Sequence, residues 1–502
     1  MSGARVVEDR VQSTVEHGDG GGDVRWTFRP PKLRDPRLHV ASVLLSVQVL
    51  GQVALGFELS IAQILVSLGT AATIELLLTA PRSKVVAWPA SALLSGNGVA
   101  LILRVPGTEH GDWWSLHGWY VFAATAALAV LSKYVMRWGG RPLFNPSNIA
   151  LVVTFLVLGS GIADPQDLWW GPMSVGLALT YTLILVGGVL ITRRLHLLSV
   201  SVVFWVVFAA CMAVVALAGH SMTARWNLGP VAGWQYWTTL ALSPEVLIFV
   251  FFMITDPRTG ARGRTAGMLY AASVAAASSL LIAFQTTEYA TKVALLSGLV
   301  LVCAGRPIIE AFAPAGDGDS PRRWWGEQRS RRVIVCGAGA AALALVVVGA
   351  RVANPPAPPR TVARPDVELR DDQRPDVVEL GDGLATIGGS FGQDEAERVV
   401  EDVIEAVLVI DRAVETSDDE LAERVATGPF LQDVLERAPG AATDRSVESA
   451  SVDVVRDPDE FQAQPRLEIT LEGSADGSPW SSTYHVLATT ADARIEREVP
   501  TG

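Results

Sequence analysis

Two segments of this chain put polar and charged groups at the ends of apolar runs, where a simple loop has no need of them. The first, Gly139-Gly140-Arg141-Pro142-Leu143-Phe144-Asn145-Pro146-Ser147-Asn148, passes into an apolar run with no polar spacer. Asn145 can cap a helix that begins there, and Pro146 fits its first turn because a missing N–H costs nothing at that position. A helix N-terminus of this kind also offers unpaired N–H groups to an anion such as a phosphate. The second segment, Phe252-Met253-Ile254-Thr255-Asp256-Pro257-Arg258-Thr259-Gly260, ends an apolar run on a carboxylate. Asp256 at such a boundary is costly unless hydrogen-bonded or paired, and Arg258, Arg262 and Arg141 are the expected partners. Helix capping by itself accounts for both segments; the chemical reading makes them two walls of one site.

Other candidates carry less. Lys133, near the end of the fourth apolar run, is expected to snorkel toward water. Glu75 in the second run reads either as a coupling-ion ligand or as a boundary carboxylate. His110 and His117 flank Asp112 without the further ligand a metal site needs. Gly337 and Gly339 mimic a phosphate loop, but no strand precedes them, so helix packing is the expected role. Cys211, Cys303 and Cys336 fall in apolar runs with no Cys-x-x-Cys pair, so neither a disulfide framework nor an iron–sulfur site is encoded.

The elements that position these residues follow from composition. Of 502 residues, 50% are hydrophobic and only 18% charged, with a mean hydropathy of +0.32. That excludes an ordinary cytosolic enzyme. The apolar residues gather into about eleven runs, near 39–57, 61–80, 86–104, 118–136, 147–163, 171–192, 197–219, 240–255, 267–285, 290–309 and 333–351. Most match the roughly 20 residues that cross a hydrocarbon core. The expected fold is an all-α polytopic membrane bundle with a small C-terminal α+β soluble domain. Residues 1–38 read as a polar cytoplasmic tail with no cleavable signal peptide, 39–312 as a ten-span domain and 313–332 as a basic cytoplasmic loop. An extra span at 333–351 leads to a Pro-rich linker, 352–365, and an acidic domain, 366–502.

Arg and Lys clusters follow alternate runs, while the opposite loops are rich in Trp, including Trp113, Trp114, Trp119, Trp169, Trp170, Trp234 and Trp237. The positive-inside rule then places the N-terminus in the cytoplasm and the acidic domain outside the plasma membrane, with the tryptophans as an outer interfacial belt. Residues 353–502 hold 13 Lys+Arg and 33 Asp+Glu, a net charge of -20, against +8 for the rest. Such a domain repels nucleic acid and anionic headgroups, so its expected partner is an extracytoplasmic protein. Helical spacing at 394–413 and 418–437, then alternation near 447–455, 466–471 and 483–488, predicts helices followed by an antiparallel sheet, an order similar to the cone-shaped NTF2-like group.

The two segments also carry a family resemblance. FNPSN preceded by SKYVMRWGGRP, the upstream SALLSGNGVALIL, and FMITDPRTG followed by a Gly/Ala-rich run and GRPIIE resemble the NqrB/RnfD family. These are membrane subunits of sodium-pumping NADH:quinone reductase and of Rnf electron-transport complexes. The wording is closer to the divergent UnbU-like branch of actinobacterial enediyne clusters. The resemblance spans roughly residues 40–312 and implies a ten-span bundle, built as two five-span halves in an inverted repeat, that carries flavin and passes electrons beside partner subunits. The matching positions are Lys133, Gly139, Gly140, Phe144, Asn145 and Pro146, then Met253, Thr255, Asp256 and Pro257. The family attaches FMN through a Thr in a Ser/Thr-Gly-Ala-Thr motif after the fifth span. Residues 161–174 hold no such motif, so any FMN or riboflavin is expected to be noncovalent. The alternative expectation is a redox-inactive solute or ion pathway, or a secondary-metabolite export component, on the same scaffold. A third is an anchoring role, in which the bundle displays the acidic domain to its partner.

Overall fold

A computed structural model describes residues 27–30, 35–108, 110–166, 175–222, 224, 231–313, 320–352, 369–386, 392–437, 443–455, 466–487 and 494–500. The linker, most of the N-terminal tail and Trp169 and Trp170 lie outside the described residues.

The helical part opens with a short strand, β1 (Thr27–Arg29), and helices α1 (Pro36–Ala54) and α2 (Ile61–Ser83). Strand β2 (Val85–Ala87) pairs in parallel with β1 and leads into α3 (Ala90–Ile102) and β3 (Leu103–Arg104). Next come α4 (Trp119–Val135), the hairpin β4 (Arg137–Trp138) and β5 (Arg141–Pro142), α5 (Pro146–Leu158) and β6 (Asp164–Pro165). Helices α6 (Val175–Arg194) and α7 (Leu198–Leu217) precede a small hairpin, β7 (Ser221–Met222) and β8 (Val231–Ala232). The following span is broken: α8 (Gly233–Leu242), α9 (Pro244–Ile248) and a π-helical turn, Phe249–Met253. Helices α10 (Arg264–Ile282), α11 (Glu288–Phe312), α12 (Pro321–Glu327) and α13 (Arg329–Val352) complete this part.

Among the described residues, eight helical segments are long and apolar enough to cross a membrane: α1, α2, α6, α7, the α8–π run, α10, α11 and α13. Helices α3, α4 and α5 are shorter. At 13 residues, α3 and α5 rise about 20 Å against a hydrocarbon core of about 30 Å. Past α3 the chain runs Leu103-Arg104-Val105-Pro106-Gly107 and past α5 Gly159-Ser160-Gly161, and there β3 pairs with β6, Arg104 facing Asp164. The buried Arg104 guanidinium binds both Asp164 and Glu58, and these charge-assisted contacts hold the extended ends inside the protein.

Helix α2 packs on α3 and α4, and α4 on α5; α7 packs on α8 and α10, and α10 on α11. Helix α1 meets α6, and α5 meets α11. Helix α13 leans on α7 and α10 with Val346, Gly349 and Ala350 buried and most of its surface exposed. Gly337 and Gly339 face open space, so the expected close packing at them is absent.

The acidic domain has its own hydrophobic core, as a separate unit requires. Helices α14 (Gln393–Thr416), α15 (Asp419–Val425) and α16 (Gly428–Leu435) cover a five-stranded sheet ordered β13-β12-β11-β10-β9. Its strands are β9 (Val377–Leu380), β10 (Arg445–Val455), β11 (Arg466–Ala475), β12 (Ser478–Leu487) and β13 (Ile495–Pro500). The helices precede four of the five strands, as expected, but β9 comes before them and joins β10 in parallel, whereas the other pairs are antiparallel.

Candidate functional site

The site is assembled where three chain reversals meet. Gly139 and Gly140, at φ of 55° and 79°, form the two-residue turn between β4 and β5. A positive φ at both central residues is the geometry of a tight hairpin, and glycine takes it without a Cβ clash. This hairpin returns the chain to α5, where Asn145 sits at the N-cap and Pro146 opens the helix.

Asn145 does more than cap. Its Oδ1 accepts from the Asn148 N–H at 3.2 Å and from the Ser147 hydroxyl at 3.0 Å. Its Nδ2 donates to the carbonyl of Met253 at 3.3 Å, 108 residues away in sequence. Met253 ends the π turn, and its carbonyl accepts from the Asp256 N–H at 3.4 Å as well as from Asn145. One buried amide therefore ties the first motif to the second.

Asp256 is held differently from expectation. Its carboxylate accepts from the Arg258 N–H at 3.0 Å and from the Thr259 hydroxyl at 2.9 Å, an Asx-type turn. The expected arginine partners are engaged elsewhere, because the groups of its own loop are reached without ordering a long side chain. Arg141 pairs with Glu310 at 2.9 Å, and the Arg262 N–H donates to the same carboxylate at 3.0 Å. One turn earlier on α11, the fully buried Arg306 donates to the carbonyls of Pro142 at 3.1 Å and Thr259 at 2.7 Å. Arg306 and Glu310, both in the GRPIIE stretch, thus fasten the two motif loops to one helix.

Between the loops lies a cavity of about 300 Å³. Lys133, Asn145, Pro146, Thr255, Asp256 and Pro257 line it, joined by Asp35, Arg37, Ser91, Ser95, Gly98 and Arg258. Leu44, Leu101, Ile191, Phe251 and Phe252 supply apolar wall. Gly140 and Phe144 lie outside it: Gly140 is exposed at the hairpin tip, and Phe144 packs against the hydrophobic core. Gly98 lets α3 approach α5, since a Cβ there would meet the Ser147 hydroxyl at 3.0 Å.

Lys133 does not snorkel. It is buried, with Nζ 3.1 Å from a Glu75 carboxylate oxygen and 3.4 Å from the Ser91 hydroxyl. That pair also resolves Glu75, which acts as the partner of a cavity lysine. Asp35 caps α1 through the Arg37 N–H and lies 4.0 Å from the Arg37 side chain, and Asp256 closes its own turn through the Arg258 N–H and the Thr259 hydroxyl. Arg37, beside Asp35, and Arg258 both line the cavity, and burial followed by the Arg37 charge holds the Arg258 guanidinium below its ordinary value. The result is an apolar chamber with a cationic rim, suited to an anionic group on a flat or apolar body.

The remaining candidates are structural. His110 Nδ1 lies 3.3 Å from the Phe57 carbonyl and His117 Nε2 3.0 Å from that of Pro106. No group of three or more His, Cys, Asp or Glu side chains suited to a metal occurs among the described residues. Trp113, Trp114, Trp119 and Trp234 are exposed, whereas Trp237 donates to the Ala209 carbonyl at 2.8 Å. Cys211, Cys303 and Cys336 are free thiols.

Arg37, Arg306 and Glu310 were not legible as site residues, and the relevance of Arg306 and Glu310 lies in contacts across 47 to 169 positions of sequence. The one available signal was the sequence pattern GRPIIE, a cation and an anion one helical turn apart. No protein-family model matches this chain, and no curated protein matches it.

Proposed function

We propose that the chain is a membrane subunit of a flavin-linked electron-transport system of the NqrB/RnfD kind, and that its cavity takes FMN or riboflavin without a covalent bond. The observation that carries this reading is the Asn145–Met253 hydrogen bond, which closes the two motifs around one chamber. The residues fit the group. A chamber of about 300 Å³ is at the lower end of sites for drug-sized ligands, its walls are apolar, and Arg37 and Arg258 stand at the rim as phosphate partners. Lys133, Asn145 and Thr255 are placed to hydrogen-bond a ring edge, and Asp256 keeps its loop closed beside it. Bound flavin would supply one- and two-electron transfer.

The helix pairing supports two five-span halves: α2 with α3 and α4, and α4 with α5, is repeated as α7 with α8 and α10, and α10 with α11. The motifs fall in successive halves and the chamber lies between them, as in repeat-built membrane proteins. In this reading the N-terminus is cytoplasmic, the acidic domain is extracytoplasmic, and further electron-transfer subunits are the partners.

The test is a visible absorption spectrum of the purified, detergent-solubilised protein, repeated after acid precipitation. Flavin bands released to the supernatant support the noncovalent reading; bands in the pellet place a covalent link elsewhere in the chain. A protein that stays colourless after reconstitution with FMN and with riboflavin refutes it in favour of a redox-inactive solute or ion pathway. The missing Ser/Thr-Gly-Ala-Thr motif and the lysine–carboxylate pair in the chamber wall favour that second reading.

A further inference from the structure

Helix α13 touches the rest of the helical part near its two ends and not between them. Toward its C-terminal end Val346, Gly349 and Ala350 are buried against α7 and α10, and a Cβ on Gly349 would meet the Phe284 ring at 2.8 Å. At its N-terminal end Arg331 donates to the Phe312 carbonyl at 2.6 Å and lays its guanidinium over the Phe312 ring, 5.4 Å from the centroid. Residues 336–341 lie between these anchors, and all six are exposed. Six consecutive residues pass more than once around a helix of 3.6 residues per turn, so no face of α13 is packed at that level. Gly337 and Gly339 have open space where a Cβ would stand.

The mouth of this gap is cationic. Residues 321–332 hold five arginines against one glutamate, a net charge of +4. Helix α13 begins with Arg329, Arg331 and Arg332 and has no carboxylate in its first turn, so cations crowd the positive pole of the helix dipole, an arrangement that an isolated helix disfavours. Arg331 is spent on Phe312, whereas Arg322, Arg329 and Arg332 make no ion pair with any described residue. Two indoles stand beside them. Trp324 meets the Phe312 ring edge-on, with centroids 5.8 Å apart, and its buried N–H has no partner; Trp325 is 43% exposed. Arginine and tryptophan together at the end of an apolar helix are the groups that meet lipid headgroups. By helix rise, residues 336–341 lie about 10 to 18 Å beyond Arg329, the depth of acyl chains below a phosphate.

We propose that this gap holds a phospholipid with a net negative headgroup: Arg322, Arg329 and Arg332 supply the charge for its phosphate, and its acyl chains fill the space beside Gly337 and Gly339. The occupant follows from the medium and the charge. A bilayer leaves no void beside a spanning helix, so chains enter a slot that no side chain fills. The excess of positive charge at the mouth then favours an anionic headgroup over a zwitterionic one. This inference rests on α10 and α13 crossing a bilayer and does not depend on flavin in the chamber.

The experiment is native mass spectrometry of the full chain in detergent, titrated with phosphatidylglycerol and, separately, with phosphatidylcholine. The wild type should retain phosphatidylglycerol in preference. Replacing all three arginines, Arg322→Gln with Arg329→Gln and Arg332→Gln, should weaken that binding on the order of 10- to 100-fold. Gly337→Leu with Gly339→Leu keeps every charge and puts its side chains into open space, so it should displace the lipid by filling the slot. Should the arginine variant fail to insert, as judged by size exclusion, the leucine pair carries the comparison. Equal retention of the two lipids by the wild type overturns the proposal, and so does unchanged retention in the arginine variant or, when it carries the comparison, in the leucine pair. An equal loss in Arg193→Gln with Arg194→Gln, at the end of α6, would trace the preference to overall charge and also overturn it. A lipid-free dimer that the leucine pair separates would put the helix of a second copy in the slot instead.

Discussion

Replacing Asn145 separates its two roles. Asn145→Ala removes the N-cap, worth about 1 kcal/mol, and the bond to the Met253 carbonyl, worth about another 1 kcal/mol. The total of about 2 kcal/mol is close to a 30-fold change in an equilibrium constant. Asn145→Ser keeps an oxygen for the Asn148 N–H but is too short to reach Met253, so it should lose only the second half. Thermal melting in detergent micelles reads the stability, and titration with FMN or riboflavin reads the chamber. The serine variant should melt between wild type and alanine and bind flavin as weakly as the alanine variant, since the distance between the motifs depends on the lost bond. A serine variant with wild-type stability and affinity would show that Asn145 is a helix cap alone and refute the claim that it joins the two motifs.

Asp256→Ala should insert normally but abolish ligand binding and any electron-transfer activity, because it frees the Arg258 N–H and the Thr259 hydroxyl and opens the loop; wild-type binding would contradict this. Lys133→Met should cost several kcal/mol by leaving Glu75 buried without its cation, and Lys133→Met with Glu75→Leu should recover most of that in the same melting assay. Deleting residues 354–502 should leave a monodisperse membrane domain by size exclusion, since the acidic domain has its own core. In the isolated domain, residues 366–502, burial and then Glu498 hold the Tyr484 phenol above its ordinary value of about 10. The folded state therefore keeps that proton more tightly, so its stabilising effect is complete below about pH 10 and fades as pH rises through the folded value. Urea midpoints against pH should show this loss, and Tyr484→Phe should remove it.

What could be read in advance depended on how local the cause was. The cap at Asn145 and Pro146 depends on neighbours a few residues away, and it stands as expected. So does the long amphipathic helix α14, whose bounds moved by only a few residues. The ends of α3 and α5 fall a few residues short of the apolar runs 86–104 and 147–163. What could not be read is the joining of the two ends by Arg104, which reaches Glu58 and Asp164, 46 and 60 positions away. The same holds for Lys133, whose partner Glu75 lies two helices earlier. Strand β9, with four residues, is too short to show an alternation and takes its place by pairing with β10. The site was half legible: the walls contributed by the two motifs were, the cationic rim from Arg37 and the fastening by Arg306 and Glu310 were not.

In the ten-span arrangement proposed above, the shortness of α3 and α5 bears on membrane voltage. A potential drops across the low-dielectric layer alone, and where two helices of about 20 Å stand in for a crossing of about 30 Å, ending on a triad of charged groups, that layer is locally thinner. The same voltage then gives a field about one and a half times steeper along these helices. At about 2.3 kcal/mol per elementary charge per 100 mV, a charge moving between the chamber and the Arg104 triad would gather most of that energy over two thirds of the usual distance.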